Sequence, residues 1–211
     1  MNKYIKTILL STALLCFGAG GASAAQFSDA KSGAELSAQQ LAQKLSKYDV
    51  VFFGEFHDQG EIHEAEAELF QAMHKLQGDK LALSMEMFEA DNQDKLDKFL
   101  AGYLSKDKFY AQMTSPEAPM KMPPQRLAAV YAAQCLKDDK MAESIAAFSD
   151  AHKKMQVLHI NGCFHSDAHL GTTQKLEALR PELKVAVITP LERKQKGEKP
   201  AGDFVVWFDR K

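Results

Sequence analysis

Short apolar runs alternate with stretches of helical periodicity along most of the chain. Five runs rich in β-branched and aromatic residues predict strands at 50–53, 81–87, 157–161, 184–189 and 203–209. Between them, apolar residues at three- and four-residue spacing predict helices beginning near Ser37, Glu61, Glu89, Pro124 and Leu170. This alternation favours an α/β fold: a largely parallel β-sheet of about five strands, flanked by helices on both faces.

The first 24 residues have the pattern of a cleaved secretory signal peptide. Lys3 and Lys6 precede an apolar segment at 8–19, and Ala-Ser-Ala follows at 22–24. The apolar segment is shorter than the ~20 residues that span a bilayer. We therefore expect export, with the periplasm as the first destination, and one mature domain over 25–211. The alternative is a lipoprotein signal at Cys16 with outer-membrane tethering, although Leu15 is larger than the residue that usually precedes a lipidated cysteine.

Composition narrows the function classes. The 211 residues include 26 basic and 28 acidic side chains, and 45% are hydrophobic. These values are typical of a globular domain and give no basic surface for nucleic acid. Two cysteines, Cys135 and Cys163, remain in the chain after the signal segment. They lack C-x-x-C spacing, so the sequence does not favour a redox motif. The sequence leaves open whether they pair or remain buried thiols.

Polar residues follow three of the predicted strands. Glu55 and His57 come after the first, Glu86 lies in the second, and His165 comes after the third. Ligands of parallel sheets bind at the carboxyl ends of the strands, so we expect these four to form one binding-site cluster. They suit a divalent transition metal held by His57, His165 and Glu86, and equally suit acid–base chemistry. Helix capping, loop hydrogen bonds or a salt bridge are the structural alternatives.

Three further residues are weaker candidates. His63 follows His57 on the next helix and is expected at the surface. Asp138 lies in the middle of a long helix, so a solvated position is expected. Tyr131 lies seven residues earlier on the same helical face and is expected to pack in the core.

Four segments together resemble the ChaN-like family. They read VFFGEFHD from Val51, SMEMF from Ser84, YAAQCLKDDKMA from Tyr131 and HINGCFHSD from His159. Members are exported bacterial haem-binding proteins, often lipoproteins, linked to iron acquisition. The wider superfamily includes Tiki-type metalloproteases and erythromycin esterases. The resemblance implies an α/β fold and haem as cofactor, with site positions at Glu55, His57, Glu86 and His165. Asp138 and Met141 match a family motif on the long helix, which makes Met141 a further weaker candidate.

The chain departs from the family pattern in one segment, and one family feature cannot be assigned to a residue. Family members are longer between Glu86 and Gln134, where they have a further strand, so that strand is the one we expect this sheet to lack. Haem ligation in the family is tyrosine-based, and the sequence does not assign the ligand among Tyr103, Tyr110 and Tyr131.

Two functions remain open from the sequence. The first, which we favour, is an exported carrier whose partner is haem or another iron-containing small molecule. The second is a metal-dependent hydrolase of the Tiki or erythromycin-esterase type, in which a carboxylate of the cluster activates water. The chain has neither a G-x-S-x-G nucleophile nor an H-E-x-x-H zinc helix. Membrane association would come only through Cys16, and homo-oligomer formation is left open.

Overall fold

The computed structural model describes residues 27–86 and 124–210. The predicted signal segment 1–24, the predicted helix over 89–101 and nearly all of the proline-rich stretch 114–124 lie outside these residues. So does the region in which a family strand was expected to be missing. The fold is therefore described for the two ranges alone.

One sheet of seven strands runs through the described residues. The strands are β1 (Phe27–Asp29), β2 (Glu35–Leu36), β3 (Val50–Glu55), β4 (Leu81–Met85), β5 (Gln156–Gly162), β6 (Val185–Glu192) and β7 (Phe204–Phe208). Their order across the sheet is β2-β1-β7-β6-β3-β5-β4. All five predicted strands are present, and the fold class is confirmed, but the expected number of strands was too low.

The two additional strands, β1 and β2, are too short to show a two-residue period. They are held by pairing, because β1 lies antiparallel to both β2 and β7. Asp29 starts the turn between them, and its Oδ1 accepts a hydrogen bond of 3.0 Å from the Ser32 amide. Gly33 completes the turn at φ 71°, where a glycine is favoured.

The remaining strands run parallel and bring three strand ends together. Strand β3 pairs in parallel with β5 on one side and with β6 on the other. Strand β4 pairs in parallel with β5, and β7 with β6. The carboxyl ends of β3, β5 and β4 therefore lie side by side at one edge of the sheet.

Helices cover both faces of the sheet. Val51 and Phe53 pack on the side of α1 (Ala38–Leu45) and α2 (Gly60–Gln77). Val50 and Phe52 pack on the opposite side, against α3 (Pro124–Ala151) and α4 (Thr172–Leu179). Burial on both faces explains why β3 is a continuous apolar run rather than an alternating one.

Helix and strand ends follow local chemistry. The helix predicted to begin near Ser37 starts with a capping box, in which Ser37 Oγ accepts from the Gln40 amide and Gln40 Oε1 accepts from the Ser37 amide. Helix α4 begins at Thr172, later than predicted, since Leu170 is extended and Gly171 adopts positive φ. Strand β4 ends at Met85, so Glu86 lies just beyond it. In the two described ranges, no helix is long and apolar enough to cross a membrane.

Candidate functional site

Four polar side chains meet in a pocket where β3, β4 and β5 end. Glu55 closes β3, and His57 lies in the turn before α2. Glu86 follows β4, and β5 leads into a 3-10 turn that ends at His165. The pocket has a volume of about 510 Å³, within the range of small-molecule sites. Its lining comprises Glu55, Phe56, His57, Asp58, Glu86, Val130, Gln134, Lys137, Gly162, Cys163, Phe164 and His165.

Glu55 is a buried carboxylate that holds two histidines. It is only 2% exposed. Its Oε1 lies 2.5 Å from His57 Nδ1, and its Oε2 lies 2.7 Å from His63 Nε2. An ionised carboxylate only accepts hydrogen bonds, so each of these ring nitrogens donates. Nε2 of His57 is then the lone-pair nitrogen of a side chain that is 65% exposed.

Glu66 on α2 places a second buried carboxyl group beside Glu55. It is 7% exposed, and its Oε1 has no hydrogen-bond partner among the described residues. Burial and the neighbouring Glu55 carboxylate raise the pKa of Glu66 to about 8. Glu66 therefore holds a proton at neutral pH unless a cation replaces it.

A hydrogen-bonded chain links Glu86, His165 and Asp138. His165 Nδ1 lies 2.7 Å from Asp138 Oδ1, and His165 Nε2 lies 3.3 Å from Glu86 Oε1. Glu86 Oε2 accepts from the Gly162 amide at 2.9 Å, and Oε1 accepts from Lys137 Nζ at 3.3 Å. All three members of the chain are buried.

This chain is an ion pair at neutral pH. Burial alone would lower the pKa of His165, but the hydrogen bonds and charges of Asp138 and Glu86 raise it to about 9. Burial alone would raise the pKa of Glu86, but the hydrogen bond and charge of His165 lead the effects that bring it down to about 2. His165 is therefore a cation between two carboxylates, which is a poor state for a general base or a metal ligand.

Two glycines bring the strand ends close together. A Cβ on Gly54 would lie 3.0 Å from Cα of Cys163, so only glycine lets β3 pass the turn after β5 without displacement. A Cβ on Gly162 would lie 3.5 Å from both Glu86 Oε2 and His57 Nε2. These two atoms therefore flank the same point in the pocket.

Comparison with known proteins identifies the family. A family model described as "Haem-binding uptake, Tiki superfamily, ChaN" matches residues 41–118 and 108–176, which together span more than half of the chain. The chain belongs to this family.

A solved structure agrees with this assignment at the level of the fold. The structure, of cofacial heme binding to ChaN of Campylobacter jejuni, superposes with a TM-score of 0.61 over 85% of this chain and 94% of that chain. The two sequences are 16% identical, so the likeness shows a shared ChaN fold. A search of curated proteins found no match.

The ChaN-like site positions fall into two pairs in the structure. Glu55 pairs with His57 and Glu86 pairs with His165, and both pairs line the same pocket. Across 27–86 and 124–210, the ligand atoms that lie within 4.8 Å of one another belong to Glu55, His63 and Glu66. This trio differs from the trio of His57, His165 and Glu86 that sequence reasoning proposed for a metal.

Asp138 corrects one expectation. Its mid-helix position predicted a solvated side chain, but it is fully buried. It shares the inward face of α3 with Tyr131 and Cys135, and its charge is balanced by His165 and a 2.7 Å hydrogen bond from Thr172 Oγ1. Tyr131 packs in the core as expected, and Met141 on the same helix is also buried.

The sequence did not predict the contacts of several other residues near the site. His63 is expected at the surface and is 46% exposed, yet it binds Glu55. Glu66 and Lys137 had no sequence signal beyond being charged residues on helices. Cys135 and Cys163 are free thiols. Burial raises the pKa of Cys163, so this pocket thiol is not a reactive thiolate.

Proposed function

We propose that the protein is an exported haem-binding protein that takes part in haem or iron acquisition. Family membership over 41–176 supports haem as its ligand. The observation that carries the proposal is the pairing of Glu55 with His57, which leaves an imidazole nitrogen facing an apolar-walled pocket.

The pocket lining suits a porphyrin. Phe56, Val130 and Phe164 supply apolar and aromatic surface for a flat macrocycle. Bound haem supplies an iron centre whose affinity and potential depend on the side chain that ligates it. Phe164 packs edge-to-face on His165, so this wall is held in place by the buried ion pair.

His57 is the candidate iron ligand. Histidines that bind metals commonly donate their second N–H to a carboxylate, which fixes the ring and increases its basicity. His57 Nδ1 donates in this way to Glu55 Oε1 at 2.5 Å. The tyrosine ligand implied by the family pattern has two candidates, Tyr103 and Tyr110, outside the described residues. Tyr131 is committed to the core cluster with Leu127 and Cys135.

A haem titration followed by absorbance tests the binding proposal. We expect a saturable Soret shift at one haem per site, with weakened binding and an altered Soret position in H57A. H74A is the control, since His74 is an exposed histidine on α2 that does not line the pocket. No saturable shift in the folded wild-type protein would disprove haem binding. A loss in Y103A or Y110A instead of H57A would assign the ligand to tyrosine.

Export is tested by fractionating the cells that express the full chain. Expression from the native start and recovery from the periplasmic fraction should give an intact mass that begins at Ala25. A mass that includes a diacylated Cys16 would indicate the lipoprotein alternative. Retention of residues 1–24 on a cytoplasmic product would contradict export. The cleaved product should unfold in one transition, as expected of a single domain over 25–211.

The second candidate function is a metal-dependent hydrolase. The tight Glu55–His57 pair also resembles an oriented general base, which is the observation that favours it. A hydrolase would turn over chromogenic ester or peptide substrates in the presence of a divalent transition metal, and both H57A and E86Q would abolish the turnover. A carrier would show no turnover under these conditions, while its Soret titration remained intact.

A further inference from the structure

Glu55, His63 and Glu66 form a cluster on the α2 side of the strand ends. We propose that this cluster binds a divalent transition-metal ion, at a site adjacent to the pocket and sharing only Glu55 with it. One ligand atom from each residue lies within 4.8 Å of the other two. The inference does not depend on haem binding, because Glu66 and His63 are not part of the pocket lining.

The fold fixes these three side chains together. His63 and Glu66 are three residues apart on α2, so both project from the same face of the helix. Glu55 is the last residue of β3, which leads into α2 through a four-residue turn. Ile62, Ala65 and Leu69 bury the adjoining face of α2 in the core, which holds the helix against the strand end.

Burial makes a cation the natural complement of the two carboxyl groups. Glu55 is 2% exposed and Glu66 is 7% exposed. Oε1 of Glu66 is buried with no hydrogen-bond partner in the described ranges, so the side chain has an unused ligand atom at the cluster. Two neighbouring carboxylates buried away from water are costly unless a proton or a metal ion compensates their charge.

The ligand set indicates the class of metal. One imidazole and two carboxylates suit Zn²⁺, Fe²⁺ or Mn²⁺ better than the all-oxygen sites of Ca²⁺. Bonds of about 2.0–2.2 Å to zinc put tetrahedral ligand atoms about 3–3.5 Å apart, within reach of small side-chain rotations here. His63 is 46% exposed, which gives an ion access from solvent.

The cluster is adjacent to the pocket through Glu55. Its Oε1 holds His57, and its Oε2 is the atom directed towards His63. An ion bound at Oε2, His63 and Glu66 would release the Glu66 proton to solvent and shift the Nε2 proton of His63 to its Nδ1, while leaving the contact with His57 intact. Glu66 is therefore the ligand whose substitution reports on the metal site without touching the pocket.

The test uses the full chain, stripped of metal with a chelator and titrated with Zn²⁺. We expect wild-type protein to bind an ion and to melt at a higher temperature with Zn²⁺ than without it. E66Q keeps the size and hydrogen-bonding capacity of the side chain, and should raise the dissociation constant by more than about tenfold and lose the thermal shift. E64Q is the matched control, an exposed glutamate two residues away on α2.

Two further variants keep the test decisive. H63A alters a half-exposed ligand, and should lose the same ion even if E66Q folds poorly. E86Q removes a carboxylate of the pocket and should retain the ion. The proposal is wrong if wild-type protein binds no Zn²⁺, if E66Q and H63A both bind it as wild type does, or if E86Q alone abolishes binding.

Discussion

His165 shows how a single side chain depends on its neighbours for its charge. It lies between Asp138 at 2.7 Å and Glu86 at 3.3 Å, in an environment that would otherwise neutralise it. The raised pKa of His165 stabilises the fold fully below its unfolded value near 6.5, and this contribution is lost as pH rises through about 9. The lowered pKa of Glu86 stabilises the fold above about 4.5, and this contribution is lost as pH falls to about 2.

Substitution of Asp138 by Asn should lower the pKa of His165 by more than about one unit, because the nearest carboxylate would lose its charge. An NMR titration of the His165 ring protons measures this shift. D150N, which changes an exposed aspartate on the same helix, is the control and should leave the His165 titration unchanged. An unshifted His165 pKa in D138N would mean that Asp138 does not hold its proton.

At the scale of elements, the turn before α4 positions the buried ion pair. Gly171 precedes the helix at φ 58°, and a Cβ there would lie 2.6 Å from the carbonyl oxygen of His165 and 3.2 Å from Asp138 Oδ1. Strand, turn and helix are therefore packed so closely that this position has no room for a side chain. Ala168 and His169, in the turn before it, also adopt positive φ.

Gly171→Ala should destabilise the protein by more than about 2 kcal/mol, since it combines backbone strain with a clash against backbone atoms. Gly33→Ala is the matched control, because Gly33 has φ 71° but open space around its Cβ position. The control should cost about 1 kcal/mol through strain alone. Chemical denaturation measures both, and equal losses in the two variants would contradict the proposed clash.

At the scale of the whole molecule, β3 is the centre of the structure. All six of its residues are buried, it pairs on both sides, and each face is covered by a pair of helices. At the opposite extreme, β2 has two residues and forms the outer edge of the sheet. The polar residues of the candidate site follow three adjacent strands. These are β3, its neighbour β5, and β4, which pairs with β5.

Hydrogen exchange should therefore be slowest for the amides of β3 and fastest for those of β2, because β3 opens only when the sheet itself unfolds. Amide exchange followed by NMR or mass spectrometry measures the difference. The strand β6, which also has two partners, should resemble β3. Comparable exchange rates in β2 and β3 would contradict the central position of β3.

The apolar pattern was sufficient to predict all five parallel strands. For β3 the continuous apolar run reflects burial on both faces, whereas β4 lies at the edge of the described sheet with Leu83 45% exposed, so its apolar run reflects β propensity rather than burial. The same pattern missed β1 and β2, because pairing with β7 and with each other holds them, and pairing leaves no period in two or three residues. The positions of Glu55, His57 and His165 at strand ends could be read from the sequence, since parallel strands end at one edge. Glu86 was expected inside its strand and lies just beyond it, because β4 ends at Met85.

The sequence by itself determined the α/β class, the family and the strand ends that line the pocket, because these depend on local periodicity and on motifs contiguous in the chain. Only the tertiary structure decided which charges are buried. Asp138 and Glu66 each lie on a helix with polar and apolar positions intermixed, and their burial depends on which face meets the sheet. The pairing of Glu55 with His63 and Glu66 likewise arises only when α2 packs against β3.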